Sequence, residues 1–440
     1  MRRRTIPVWL KLLAAGVVLL PIAGLWMLVR LTAPRLHPDP KHAPSVAYSA
    51  PPLGSAAAAS KARRIVLQHL SEKNLPGLSV AVGIRGDIVW AEGFGFADLS
   101  TGAPVTPDCR FRIGTASVAL TSAAAGLLLE AGRLKLDDEI QTYVPEFPRK
   151  QWPVTLRELM ADMAGLASDG GDEALLATKH CERPVEALRY FAEDPLLLKP
   201  GSERRDSSYG WILVSAAIEA AANQPFLTFM RKRIFEPLGM RNTVPDPATI
   251  SAPDAAGDDF PLFNLIRELI LDPQTRRALT APEVKASPER ATSYFPRFIE
   301  NPNYGLHLAR PLDYSCYAGS SGFLSTPSDL ARFAMAISGG ALLKRATVDM
   351  LQTSQQLSSG EKTRYGLGWD LEPVVVRGQR MRAIGHNGDI LGGMAASLLT
   401  LPDYGIVVAV TSNISHADTL SLAAKIAEVF IDQEDTPAHQ

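Results

Sequence analysis

Phe111-Arg112-Ile113-Gly114-Thr115-Ala116-Ser117-Val118-Ala119-Leu120-Thr121 is the stretch from which the rest of the chain can be read. A short strand-like lead-in ends in a glycine. An apolar run then continues through Ala123-Ala124-Ala125-Gly126-Leu127-Leu128-Leu129 to Glu130, which predicts a long buried helix. The Thr115 hydroxyl falls at the mouth of that helix, where backbone N–H groups point outward and the dipole is positive. That is a natural place for a nucleophile or an anion. The plainer alternative for Thr115 is a helix N-cap.

The chain around this stretch has 440 residues, long enough for one large or two medium domains. Its 46% apolar and 21% charged residues are those of a globular protein. A net charge of -1 gives no electrostatic reason to expect a nucleic-acid partner. No cysteine or histidine spacing suggests a metal, and no cofactor is implied. Three cysteines, Cys109, Cys181 and Cys316, are expected as buried thiols. One disulfide with one free thiol is the alternative, with the pair left open.

The N-terminus carries an address. Arg2, Arg3 and Arg4 precede an apolar run without charge from Leu12 to Val29, closed by Arg30. Such a helix is roughly 27 Å long at ~1.5 Å per residue, close to the ~30 Å of a hydrocarbon core. The reading is a cytoplasmic N-terminus (1–7), a transmembrane signal anchor (8–30) and a proline-, alanine- and serine-rich linker (31–56). The main domain (57–432) would be periplasmic or otherwise extracytoplasmic, followed by a disordered tail (433–440). A cleaved signal peptide is the alternative, but Arg30-Leu31-Thr32-Ala33-Pro34 makes a poor cleavage site.

Along the domain, helices are expected at 57–72, 184–193, 210–222, 225–235, 327–338 and 419–432. Strands are expected at 78–84, 88–96, 380–384, 394–401 and 406–412, with Arg85-Gly86-Asp87 and Asp403-Tyr404-Gly405 as turns. Residues 245–293 alternate proline breaks with short apolar runs and read as an insertion bordering a pocket. Strands at both ends with helices between them imply an α+β fold. One antiparallel sheet is assembled from both chain ends, with the terminal helices on one face and an all-helical middle region on the other.

Several further stretches carry a resemblance. They are Pro76-Gly77-Leu78-Ser79-Val80-Ala81-Val82; Trp90-Ala91-Glu92-Gly93-Phe94-Gly95; Phe235-Glu236-Pro237-Leu238-Gly239-Met240; Leu324-Ser325-Thr326-Pro327-Ser328-Asp329-Leu330; Tyr365-Gly366-Leu367-Gly368-Trp369; and Gly385-His386-Asn387-Gly388. In this order, over about 57–431, the chain resembles the serine β-lactamase and penicillin-binding-protein-like family. That family includes class C β-lactamases, D-Ala-D-Ala carboxypeptidases, esterases and a mitochondrial β-lactamase-like protein. The resemblance implies a β-lactamase/transpeptidase-like fold and acyl-transfer chemistry on an amide or ester.

The family's chemical positions are changed. Its Ser-x-x-Lys box stands here as Thr115-Ala116-Ser117-Val118: a hydroxyl crowded by a methyl, and a side chain that cannot accept a proton. Ser117 lies ~200° around the helix from the hydroxyl position and cannot replace it. Tyr-x-Asn aligns with Asp206-Ser207-Ser208; a one-residue slip would offer Tyr209 but put Trp211 at the asparagine. His-x-Gly survives as His386-Asn387-Gly388, and His-Thr-Ser-Gly-Leu has become Asp162-Met163-Ala164-Gly165-Leu166.

The reading is a membrane-anchored pseudoenzyme that binds a peptidoglycan-like, peptide or small-molecule ligand, or an envelope partner, with self-association as a further expectation. Thr115, Asp206 and His386 are the candidate catalytic residues, with Val118 and Ser208 at degraded motif positions. Ser117, Asn387 and Gly388 are candidates for the substrate groove. The alternative is an active acyl hydrolase with Thr115 as nucleophile and Asp206 as a base activated by burial.

Overall fold

The computed structural model describes residues 16–17, 19–26, 34–48, 52–167, 176–177, 179–246, 289–297, 301–309, 312–390 and 393–434. Its centre is an antiparallel sheet built from both ends of the chain, as expected. The strands are β1 (Ser45–Ala47), β2 (Gly77–Ile84), β3 (Asp87–Asp98), β4 (Ile384–Ile390), β5 (Met394–Leu401) and β6 (Ile406–Ser412), in the order β1-β3-β2-β6-β5-β4. A short strand, Ala103–Pro104, also pairs with β3. The N-terminal hairpin and the C-terminal meander join where β2 pairs with β6, from Leu78 opposite Ser412 to Ile84 opposite Ile406. Arg85 and Gly86 both take positive φ, the two-residue turn that suits the strand twist.

Side chains alternate across this sheet with a period of two. Leu78, Val80, Val82, Ile406, Val408 and Val410 point to one face, where they meet α1 (Ala56–Glu72) and α5 (Thr419–Glu434). Phe430 of α5 stacks over Trp90 of β3 at 6.2 Å. The other face is small. Ala81 and Ala409 belong to the second core, and a Cβ on Gly83 would lie 2.5 Å from the sulfur of Met335. That lack of bulk lets α4 (Pro327–Ser338) lie close against β2 and β6. Beyond it stand α2 (Ser117–Glu130) and α3 (Ser208–Ala222), packed side by side and almost wholly buried.

The structure departs from expectation in three places. Residues 36–47, placed in an extended linker, are docked onto the domain. His37 is buried against Phe96, its Nε2 is 3.2 Å from the Pro76 carbonyl, and β1 extends the sheet beside β3. The expected strand 380–384 belongs to two elements. Gln379–Met381 pairs with Val374–Val376 in a hairpin turned by Arg377 and Gly378, both at positive φ, and β4 starts at Ile384. The cysteines are not all thiols: Cys181 and Cys316 form a disulfide, and Cys109 remains a buried thiol whose pKa burial pushes up to about 12.

Most of the expected insertion, 247–288, lies outside the described residues. Its flanks are fixed: Val244–Pro245 pairs with Phe323–Leu324, and Asp246 sits between Arg112 (2.5 Å) and Arg290 (3.1 Å). Of the expected membrane span, only 16–17 and 19–26 are described, as helix, with Leu19, Leu20, Ile22, Leu25 and Trp26 each more than half exposed. Among the described residues no single helix is long and apolar enough to cross a membrane.

Candidate functional site

The 111–121 stretch adopts the predicted strand–turn–helix. Phe111–Arg112 pairs with Phe323–Ser325, Gly114 turns at φ 53°, a single 3-10 turn spans Gly114–Ala116, and α2 follows. Strand β4 runs directly against that turn. Gly388 makes this contact: a Cβ there would come within 2.0 Å of the Ile113 carbonyl oxygen and 3.0 Å of the Ala116 nitrogen. Gly388 therefore supplies close approach between strand and turn, where a groove surface was expected.

Thr115 is half-buried, and its hydroxyl donates to the carbonyl oxygen of Asn387 at 2.9 Å. The helix-cap reading is thereby corrected, since no side chain caps either the turn or α2. The hydroxyl is spent on the neighbouring strand. Ser117 is fully buried, and its hydroxyl has no hydrogen-bond partner among the described residues, so it does not line a groove. Val118 is 2% exposed and packs in the main core, where a charged lysine would need a partner.

Asp206 does not join this group. Its carboxylate is 80% exposed and paired with Arg204, so the burial on which a base role depended is missing. Ser208 opens α3 and is half-buried, while Ser207 caps that helix by accepting from the Gly210 N–H. Tyr209 stacks on Phe191, with ring centres 4.2 Å apart. The Tyr-x-Asn position thus supplies no group to Thr115 among the described residues.

His386 is where the sequence placed it, on the strand beside the turn, but both ring nitrogens face the protein. Nδ1 lies 2.8 Å from the Asn387 carbonyl oxygen and Nε2 lies 3.1 Å from the hydroxyl of Tyr365. Tyr365 belongs to the Tyr365-Gly366-Leu367-Gly368-Trp369 loop, which wedges between helices. Trp369 donates to the Ser122 hydroxyl of α2, and Gly368 sits against Trp211 of α3. Behind the tyrosine lies Asp162, almost wholly buried, at φ 56° and bonded by the Trp211 indole N–H at 3.1 Å. Burial first, and then the nearby Asp206 charge, push the Asp162 carboxyl well above the usual carboxylate range, against the pull of Arg204 and bonds from Tyr365 and Trp211.

Sequence reasoning treated Asp162 as a lost motif residue and Tyr365 as scaffold. The available signal was a single acid inside the otherwise apolar run Leu159-Met160-Ala161-Asp162-Met163-Ala164. Two surface depressions among the described residues lie elsewhere, one lined by Glu146, Glu186 and Glu193 and one by Leu129, Arg157 and Met350. No group of metal-ligating side chains is found among the described residues.

Comparison with known proteins agrees with this geometry. The sequence pattern of the family described as Beta-lactamase matches residues 62–430. The chain is 24% identical to the human mitochondrial serine beta-lactamase-like protein LACTB, over 85% of this chain and 80% of that protein. It is 26% identical to the protein flp of Staphylococcus aureus over 41% of this chain and 37% of that one. Among solved structures it resembles an octameric penicillin-binding protein homologue from Pyrococcus abyssi, with a TM-score of 0.64 and 22% identity, covering 86% of this chain and 78% of that one. It also resembles FmtA from Staphylococcus aureus, with a TM-score of 0.62 and 17% identity, covering 85% and 89%.

Proposed function

This chain belongs to the family described as Beta-lactamase, and from that premise we propose that it is a membrane-anchored member that binds a cell-envelope ligand or partner without turning it over. One observation carries the reading. The Thr115 hydroxyl gives its hydrogen to a backbone carbonyl, which accepts hydrogen bonds but takes up no proton. Acyl transfer by a hydroxyl needs a base within reach. Val118 offers none, Asp206 is exposed and ion-paired, and His386 has both nitrogens engaged with Tyr365 and Asn387.

The placement we infer is a single-pass inner-membrane protein with a cytoplasmic N-terminus and the folded domain on the far side. The exposed apolar residues of 19–26 support it. So does the Cys181–Cys316 disulfide, since such bonds persist in oxidising compartments. The mitochondrial location in the name of the LACTB relatives fits an organellar inner membrane equally well.

The test is labelling of the detergent-solubilised full chain with a fluorescent β-lactam and turnover of a chromogenic ester. The expected result is neither. Labelling or turnover that disappears in Thr115→Ala would overturn the binding reading in favour of an acyl hydrolase with Thr115 as nucleophile.

A further inference from the structure

Arg204 is a firmly mounted arginine with most of its donors unused. Its guanidinium lies over the Tyr365 ring, 4.0 Å from the ring centre, and only 29% of its side chain is exposed. A guanidinium carries five N–H donors. Among the described residues one of them is used, from Nη2 to the Asp206 carboxylate, and Nε is buried with no partner. The Asp162 carboxyl stands 4.0 Å from Nη2, beyond a hydrogen bond, and burial holds it toward its neutral form, so it does not spend the charge of the arginine. The backbone is pinned on both sides: the Gly201 N–H donates to the Met163 carbonyl at 2.8 Å and the Arg205 N–H to the Asp162 carbonyl at 2.7 Å. Asp206 is the reverse. Its carboxylate is 80% exposed, and Arg204 is the one group it bonds among the described residues.

We propose that Arg204 is a carboxylate-binding residue and that Asp206 occupies it in the unliganded protein as an internal stand-in. This rests on the reading of the Thr115 turn as the binding site, and it names the class of ligand as one that ends in a single carboxylate.

Position and chemistry both favour this use. The Tyr365 hydroxyl meets His386 Nε2 at 3.1 Å, and His386 Nδ1 shares the Asn387 carbonyl with the Thr115 hydroxyl. Arg204 therefore lies one aromatic ring away from the strand beside the Thr115 turn. A planar guanidinium held in place by a ring pairs with a carboxylate through two parallel hydrogen bonds, which the single bond to Asp206 does not provide. An exposed ion pair is weak, so a ligand carboxylate displaces Asp206 into water, where its charge is well solvated. The ligand is a monoanion because one positive charge is on offer. The neighbouring Arg205 is paired with Glu203 at 3.4 Å, and a dianion would bring a second negative charge up against Asp162 and Asp206.

The measurement is calorimetric titration of the full chain in detergent with N-acetylglycine, with N-acetylglycinamide as the uncharged control and inorganic phosphate as the dianion. The acid is expected to bind more tightly than either. Asp206→Asn removes the internal competitor and is expected to tighten binding of the acid about tenfold, the gain that follows if Asp206 holds Arg204 about nine-tenths of the time. Glu203→Gln takes a like charge from the same loop without freeing Arg204, and its affinity is expected to stay near that of the parent. Arg204→Lys keeps the charge without the planar fork, and in the Asp206→Asn background it is expected to cancel the gain. Equal affinities in the parent and Asp206→Asn, an equal gain in Glu203→Gln, or a gain that survives Arg204→Lys overturns the assignment. So does amide or phosphate binding as tight as that of the acid. Failure of carboxylate binding leaves the absence of turnover standing, and turnover at Thr115 leaves the carboxylate site standing, so the two readings fail separately.

Discussion

Thr115 is the residue on which the chemistry and the fold meet. Its hydroxyl makes one hydrogen bond across to β4, and a neutral bond of this kind contributes about 1 kcal/mol net. Thr115→Val keeps the shape and removes the bond, so it is expected to lower unfolding free energy by about that amount in a denaturant melt. The His386 ring nitrogen remains on the Asn387 carbonyl and limits the loss. Asp98 offers a residue whose effect depends on pH. Burial alone would raise its carboxyl, but hydrogen bonds from Ser100, Thr292 and Thr101 hold it at about 2, below the ordinary 3.8. The folded value is depressed, so the stabilisation is present above the unfolded pKa and is lost as pH falls toward 2. The size is about 2 kcal/mol. Asp98→Asn is expected to lose that amount at neutral pH and to show a flatter stability profile between pH ~4 and ~2.

At the scale of elements, the contact between β4 and the Gly114–Ala116 turn sets the geometry of the site. Gly388→Ala places a methyl against the Ile113 carbonyl, and backbone offers no flexible end to move aside. The expected cost is roughly 3 kcal/mol, the upper range for overpacking, measurable as a lower midpoint in thermal melting. Much of this arrangement was legible in the sequence. The helix after Thr115, the hairpin around Arg85-Gly86 and the last two C-terminal strands follow from periodicity and turn residues, and the motif order pointed to their assembly. The boundary at Ile384 was not legible, because Arg380-Met381-Arg382-Ala383 alternates like one strand, whereas Arg382 and Ala383 belong to neither of the two strands they join. Nor was the docking of 36–47. Proline-rich composition reads as solvated chain, and what holds this segment is the seating of His37 against Phe96 together with the pairing of β1 beside β3. The buried carboxyl of Asp162 escaped for a related reason: its donor, the Trp211 indole of α3, is 49 positions along the chain and meets it only in the folded molecule.

For the whole molecule, the two cores on either face of the sheet differ in how they are secured. The face under α1 and α5 is closed by chain ends that meet each other. The helical side is closed in addition by a covalent bond between positions 135 residues apart, Cys181 and Cys316. Loops of that size give a large entropic effect on the unfolded chain, so Cys181→Ala is expected to cost about 2–5 kcal/mol. A matching drop in melting temperature on reduction of the parent chain checks it, and Cys109, buried with a raised thiol pKa, is expected to resist alkylation in the folded state.

The seating of His37 and the strand Ser45–Ala47 has a geometric outcome for the protein in a bilayer. If residues 19–26 are embedded in lipid, the chain between Trp26 and Pro34 can reach no farther than about 28 Å even when pulled straight. A free arm running to residue 56 would have let the domain wander and tumble. In the proposed anchored placement, the surface bearing Asn74 and Pro76 would instead be leashed close to the headgroups.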